Sequence, residues 1–306
     1  MTTSSFLMPF PGPAMLDLVS QLENSIIHSY PFPHLVIHNF LPNKVYEELA
    51  ETFEEPSVRD EISVDNSFSN KLFLASVLSG HLQNYLGESL SAETLESLLF
   101  FGSKTFLDII LNRFKIPSAI ICAGSGFKPA EAVAEPFSLD YSPRHALDLG
   151  VSIDRIDPTL YFDIQFGINS PAFGLPTSVR DIHIDHPAKL FNALLYFRHP
   201  RDNFAGGDLC LFRHRAKRSF YNENVLASDA VLAKVVPYAS NTLVLFLNGL
   251  DSLHGVVERS STTVERRYIN VLARFRNPFL DINSCQGSRL RYSYIKDRLL
   301  RLLDSI

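Results

Sequence analysis

Leu160-Tyr161-Phe162-Asp163-Ile164-Gln165-Phe166 is the stretch where the period of the chain changes. Before it, apolar residues recur at helical spacing; from here on they alternate every second residue, as in a half-buried strand. Further strands are expected downstream at 179–185, 190–198, 208–213, 242–247, 251–258 and 265–275. Asn203 to Gly207 reads as a turn in which the Gly206-Gly207 pair takes positive φ. Asn248-Gly249, between two apolar runs, reads as a hairpin turn. Many short strands joined by turns indicate a sandwich or barrel. With helices before them, the strands fit a jelly roll backed by helices.

Upstream, Met15, Leu18, Val19, Leu22 and Ile26 mark an amphipathic helix over 14–28, stopped by Tyr30-Pro31-Phe32-Pro33. Leu35-Val36-Ile37 is a short strand. Pro42 opens a second helix with Val45, Leu49 and Phe53 on one face. Residues 71–87 and 92–114 read as helices, the latter broken at Gly102-Ser103, where Ser103 caps a new start. Four prolines between 117 and 143 make 116–157 a long connection, a candidate lid or plain surface. The expected organisation is a mainly helical region over 1–157, a strand-rich unit over 158–280 and a C-terminal helix over 281–306.

The whole chain bounds the function. Its 306 residues, 46% hydrophobic and 20% charged, suit a globular protein with a sizeable, Phe-rich core. A net charge of −5 without clustered Lys and Arg gives no footprint for nucleic acid or an acidic membrane surface. Cys122, Cys210 and Cys285 are far apart and odd in number, which argues against a disulfide framework or zinc knuckle. No Lys or Arg precedes Lys44 and no apolar run reaches the length of a membrane span, so a cytoplasmic protein is expected. The oligomeric state stays open, a homodimer included.

Chemistry concentrates in His183-Ile184-Asp185. On a strand, residues i and i+2 share a face, so an imidazole and a carboxylate are presented together. His254 follows on a later strand. Two histidines and one carboxylate with other positions open is the set suited to a non-haem Fe(II) oxygenase. His186 is out of phase with Asp185 and turns away. His199 and His214 sit near polar turns and read as solvated.

The order of further pieces makes a resemblance plain. His183-Ile184-Asp185-His186-Pro187, Leu194-Leu195-Tyr196-Phe197, Gly206-Gly207-Asp208-Leu209, Asn241-Thr242-Leu243-Val244-Leu245-Phe246, His254-Gly255-Val256 and Arg266-Arg267-Tyr268 follow one another. Over about 158–276 the chain resembles the 2-oxoglutarate- and Fe(II)-dependent dioxygenase superfamily, in its prolyl-4-hydroxylase-like branch. Pro31-Phe32-Pro33-His34-Leu35-Val36-Ile37 with Asn39-Phe40-Leu41 also resembles the opening segment of such proteins, whereas the resemblance does not extend over about 55–157.

The resemblance implies an α+β fold built on a double-stranded β-helix, a cupin-like jelly roll with helices on one side. It implies Fe(II) bound by His183, Asp185 and His254, and 2-oxoglutarate and dioxygen as co-substrates. A basic residue after the second histidine would hold the distal carboxylate. Arg267 is favoured for this, with Arg266 the rival, since strand neighbours face opposite ways. The family often has Ser or Thr two residues later, where Ile269 stands here; the Tyr161 or Tyr196 phenol is a candidate replacement. Oxidative decarboxylation to succinate and carbon dioxide would drive hydroxylation of a C–H bond. Asp185 argues against halogenation; desaturation, epoxidation and ring closure use the same ligands. The expected substrate is a small molecule or a peptide-derived one, the former preferred. The alternatives are a cupin-like isomerase, disfavoured because no HxH pair occurs, and a non-catalytic binding protein on the same fold.

Overall fold

The computed structural model describes residues 12–54, 72–77, 86–114, 160–173 and 181–275, with positions 176, 178, 280 and 282. Within them four helices cover one face of a large antiparallel sheet, and a small antiparallel sheet lies against the other. The helices are α1 (Pro13–Asn24), α2 (Asn43–Thr52), α3 (Ala92–Phe100) and α4 (Lys104–Arg113). The large sheet comprises β1 (His34–His38), β2 (Leu72–Ser76), β3 (Leu160–Asn169), β4 (Lys189–Tyr196), β7 (Thr242–Leu247) and β9 (Arg266–Phe275), in the order β1-β7-β4-β9-β3-β2. The small sheet, β6-β5-β8, is built from β5 (Leu209–His214), β6 (Ala230–Val236) and β8 (His254–Val256). No helix among the described residues is long and apolar enough to cross a membrane.

Local chemistry accounts for the helices. α1 starts with Pro at its first turn and buries Ala14, Leu18 and Leu22, but ends before Ile26, which is exposed. α2 buries Val45 and Leu49, with Phe53 just past its end. The expected break at Gly102-Ser103 separates α3 from α4: the Ser103 hydroxyl accepts the Phe106 N–H at 3.1 Å, and Ser91 caps α3 in the same way.

Strand alternation divides the core in two. Ile269, Val271 and Ala273 of β9 and Phe191, Ala193 and Leu195 of β4 join the helices' apolar faces in the main core. The residues between them turn to the other side. Tyr268, Leu194, Tyr196, Val244 and Phe246 meet Leu209 and Leu211 of β5 in a second cluster between the sheets. Each fully buried Leu, Ile or Phe contributes roughly 1.5–3 kcal/mol by leaving water. At one side of the inter-sheet space the two edge strands meet: Lys234 Nζ of β6 donates to His34 Nε2 of β1 at 3.0 Å.

Several expectations need correction. Residues 71–87 were expected as a helix, yet Leu72–Ser76 form β2, paired antiparallel with β3. A short continuous apolar run suits either state, and a free sheet edge decides it. Asn248-Gly249 is no hairpin turn. β7 is flanked by β1 and β4, so the chain leaves the large sheet and β8 joins the small one. Neither residue has the positive φ a two-residue hairpin demands. Gly206 and Gly207 do have positive φ, and a Cβ on Gly206 would collide with the Glu258 carbonyl. The strand expected over 179–185 is, in its described part, a bridge at His183 to both His254 and Asn224. β6 was not anticipated. The connection over 116–157 and, Ile282 aside, the C-terminal helix over 281–306 lie outside the described residues.

Candidate metal centre

The segment around His183 lies between β8 and residues 223–225. His183 N–H donates to the His254 carbonyl at 3.0 Å, and His254 N–H returns the bond at 2.9 Å. Residues exchanging both bonds across an antiparallel pair send their side chains to one face. The two imidazoles accordingly stand with ring centroids 4.3 Å apart. Asp185, two residues on, shares that face, whereas Ile184 points the other way into the main core. His186 is exposed and its Nδ1 accepts the Ala188 N–H, so it takes no part.

The ring tautomers are set by the backbone. His183 Nδ1 lies 2.6 Å from the Asp181 carbonyl, and His254 Nδ1 lies 2.9 Å from that of Ser252. A carbonyl only accepts, so both rings carry their proton on Nδ1 and turn the Nε2 lone pair inward. Asp185 Oδ2 lies 3.9 Å from His254 Nε2, and one donor atom from each of the three residues falls within 4.8 Å of the others. All three are buried, and among the described residues they form the one such group of His, Cys, Asp or Glu. The Lys189 ammonium, 3.0 Å from Oδ1, offsets part of the buried Asp185 charge, while Oδ2 turns inward with the two neutral imidazole nitrogens. The donor set therefore fits a divalent transition metal.

The two arginines part company. Arg267 turns to the helix side, its guanidinium 2.7 Å from Glu54 and 3.3 Å from Glu265, over the Phe53 ring. Arg266 turns into the inter-sheet space. Its Nε donates to the Gly207 carbonyl at 2.8 Å and Nη1 to Asn169 at 3.3 Å. The rings of Tyr196, Tyr238 and Tyr268 surround it at 4.9–5.0 Å. Its Nη2 is buried without a hydrogen-bond partner, and so is the Tyr196 hydroxyl. Burial pushes the Tyr196 phenol up, and the charge and the adjacent N–H donors of Arg266 oppose it, so the two groups lie close together though no well-formed hydrogen bond joins them. The placement does not support the preference for Arg267. Which arginine faces inward depends on which side the helices cover, and the dipeptide alone carries no sign of that. Tyr161 is placed on β3 by its backbone pairing with Arg274.

Three solved structures with a similar course of chain can be named. A prolyl 4-hydroxylase from Phytophthora capsici matches at a TM-score of 0.49 and 12% identity, over 99% of this chain and 79% of that one. A prolyl-4-hydroxylase from Pseudomonas putida matches at 0.42 and 15%, over 86% and 100%. A prolyl hydroxylase from Trichoplax adhaerens, in complex with a hypoxia inducible factor peptide fragment, matches at 0.40 and 12%, over 85% and 89%. No protein-family model and no curated protein matches the sequence. At such identities the chemistry rests on the site's own geometry.

That geometry includes residues the sequence did not single out. Gln165 Nε2 donates to Asp163 at 2.5 Å, and Asn270 Nδ2 donates to Gln165 Oε1 at 2.9 Å. The Asp163 carboxylate accepts, which orients both amides and leaves Asn270 Oδ1 buried without a partner. Asn192 Oδ1 is in the same state, opposite Phe246, whose ring touches that of His254. The Tyr238 hydroxyl bridges the backbone N–H and carbonyl of Arg267 at 2.8 and 3.2 Å, and burial pushes its phenol up to about 12. Lys189 Nζ lies 3.0 Å from Asp185 Oδ1. His214, expected in solvent, instead donates from Nε2 to the Leu250 carbonyl at 2.9 Å and packs on Phe220. Alternation along β3, β4 and β9 hints at Asp163, Gln165, Asn192 and Asn270, whereas Tyr238, Lys189 and His214 carry no such signal.

Proposed function

We propose that the chain is an Fe(II)- and 2-oxoglutarate-dependent dioxygenase that hydroxylates an unactivated C–H bond. One observation carries this reading: His183 Nε2, His254 Nε2 and an Asp185 oxygen converge beside a space that also holds a partly unpartnered Arg266. When bound, iron, 2-oxoglutarate and dioxygen would supply the oxidising chemistry, dioxygen being the oxidant whose two atoms end in succinate and in the hydroxylated substrate, with carbon dioxide as by-product. The three side chains hold the metal, and the Asp181 and Ser252 carbonyls fix the rings that do so. Arg266 takes the distal carboxylate through Nη2, the donor that Gly207 and Asn169 leave over, with the Tyr196 hydroxyl as second contact. Arg267 ties the end of α2 to β9. The cage around Arg266 excludes water, so a carboxylate there is a strong partner.

2-Oxoglutarate carries acceptors alone, so the Asn192 and Asn270 oxygens meet donors of the substrate or of water. The substrate is a small molecule or a peptide-derived one, handled in the cytoplasm. The two facing sheets close as a jelly roll over 158–280, and the region before it supplies covering helices and edge strands. Anaerobic addition of Fe(II) and 2-oxoglutarate should raise a weak visible charge-transfer band, and substrate should then release succinate in air. His183→Ala should do neither. An isomerase or an inert binder would give no band, and equal turnover by His183→Ala would overturn the site.

A further inference from the structure

The two oxygens of Asp185 face different neighbours: Oδ2 the His254 ring at 3.9 Å, Oδ1 the Lys189 ammonium at 3.0 Å. Lys189 begins β4, and plain alternation would send it with Phe191, Ala193 and Leu195 into the helix-covered core. It does not go there. The pairing of β4 with β9 slips between Lys189 and Phe191, and Leu190 and Phe191 both enter the main core. A bulge of this kind puts two neighbours on one side and re-aims the residue before them. The Lys189 N–H closes a turn on the His186 carbonyl at 2.8 Å, which holds the side chain beside Asp185. Its side chain is 15% exposed, deep enough for the ammonium to need a counter-charge.

We propose that Lys189 is a positioning residue that keeps Oδ1 occupied, so that Asp185 offers the metal Oδ2 alone. The inference rests on the metal centre proposed above. A carboxylate binding through both oxygens fills two places around a metal; through one, it fills one. Beside two imidazoles, one-oxygen binding leaves half of an octahedral shell open, enough for a chelating keto acid and dioxygen. The ammonium thus governs how many places remain. Being itself positive, it adds nothing to cation affinity, which separates this role from that of a ligand.

The test uses the full chain loaded with Co(II), whose visible bands report coordination number, and titrates it with 2-oxoglutarate. Lys189→Met should still bind Co(II), with altered bands and a 2-oxoglutarate Kd raised about tenfold, the scale typical of an outer-shell partner. Lys189→Arg should restore both. If Lys189→Met loses its cooperative melt, Lys189→Gln carries the same test. Unchanged bands and Kd in the neutral variant would overturn the proposal. So would an Arg variant as impaired as the neutral one. Wild-type protein that takes up no Co(II) would instead overturn the metal centre itself.

Discussion

The two faces of the large sheet are made by the same strands and obey different rules. Toward the helices, β4 and β9 show Phe191, Ala193, Leu195, Ile269, Val271 and Ala273, with one polar exception, Arg267, which is ion-paired to Glu54 and Glu265 and leaves only its Nε without a partner. Toward the small sheet they show Asn192, Tyr196, Arg266 and Asn270, each buried and each holding a polar atom with no partner. An unpartnered buried polar atom costs on the order of 1–3 kcal/mol. Stability alone would fill this face as it fills the other. The contrast separates a surface that holds the fold from one kept ready for a ligand.

Mutating one strand on both faces should break the contrast most visibly. Leu195→Ala removes a fully buried side chain from the helix side and should cost about 2–5 kcal/mol in urea unfolding. On the same strand Asn192→Leu, near in shape, should hold stability within about 1 kcal/mol or raise it, while turnover falls. A comparable loss from both would erase the distinction. The arginines sharpen it next. Arg266→Gln should raise the KM for 2-oxoglutarate roughly tenfold to a hundredfold, the worth of a charge-assisted contact. Arg267→Gln should leave KM unchanged and lower the melting temperature. The reverse pattern would return the carboxylate to Arg267.

The smallest effect concerns the seam where the two sheets' edges meet. His34 donates from Nδ1 to the Phe32 carbonyl, accepts the Lys234 ammonium on Nε2 and stacks on His28. Burial, followed by the Lys234 and His28 charges, pushes its imidazole from 6.5 down to about 4, against the Phe32 bond. The unfolded chain then binds the extra proton first as pH falls. The His34 contribution to stability is whole above pH 6.5 and declines down to about 4. Urea unfolding across that window should fall more steeply in wild type than in His34→Gln; parallel curves would remove His34 from the seam.

Much of the site was legible in the sequence because it is local. His183 and Asp185 share a face by spacing alone, and family order supplied His254. The capped break at Ser103 was legible for the same reason. What the sequence hid is long-range. β6 buries Ala230 and Val236 but leaves Leu232 and Val235 exposed, so an edge strand slipped against β5 shows no alternation. β2 is decided by a partner far along the chain. The facing of Arg266 and Arg267 depends on which side the helices cover, and the aim of Lys189 on a bulge.

The chain of amides from Asp163 to Asn270 has a directional consequence. A carboxylate at one end fixes which way two otherwise symmetric groups point, so the polarity presented to a bound molecule is written two side chains away from it. Asp163→Asn would erase that direction: both amides could turn over, and the inner wall would offer hydrogen where it now offers oxygen.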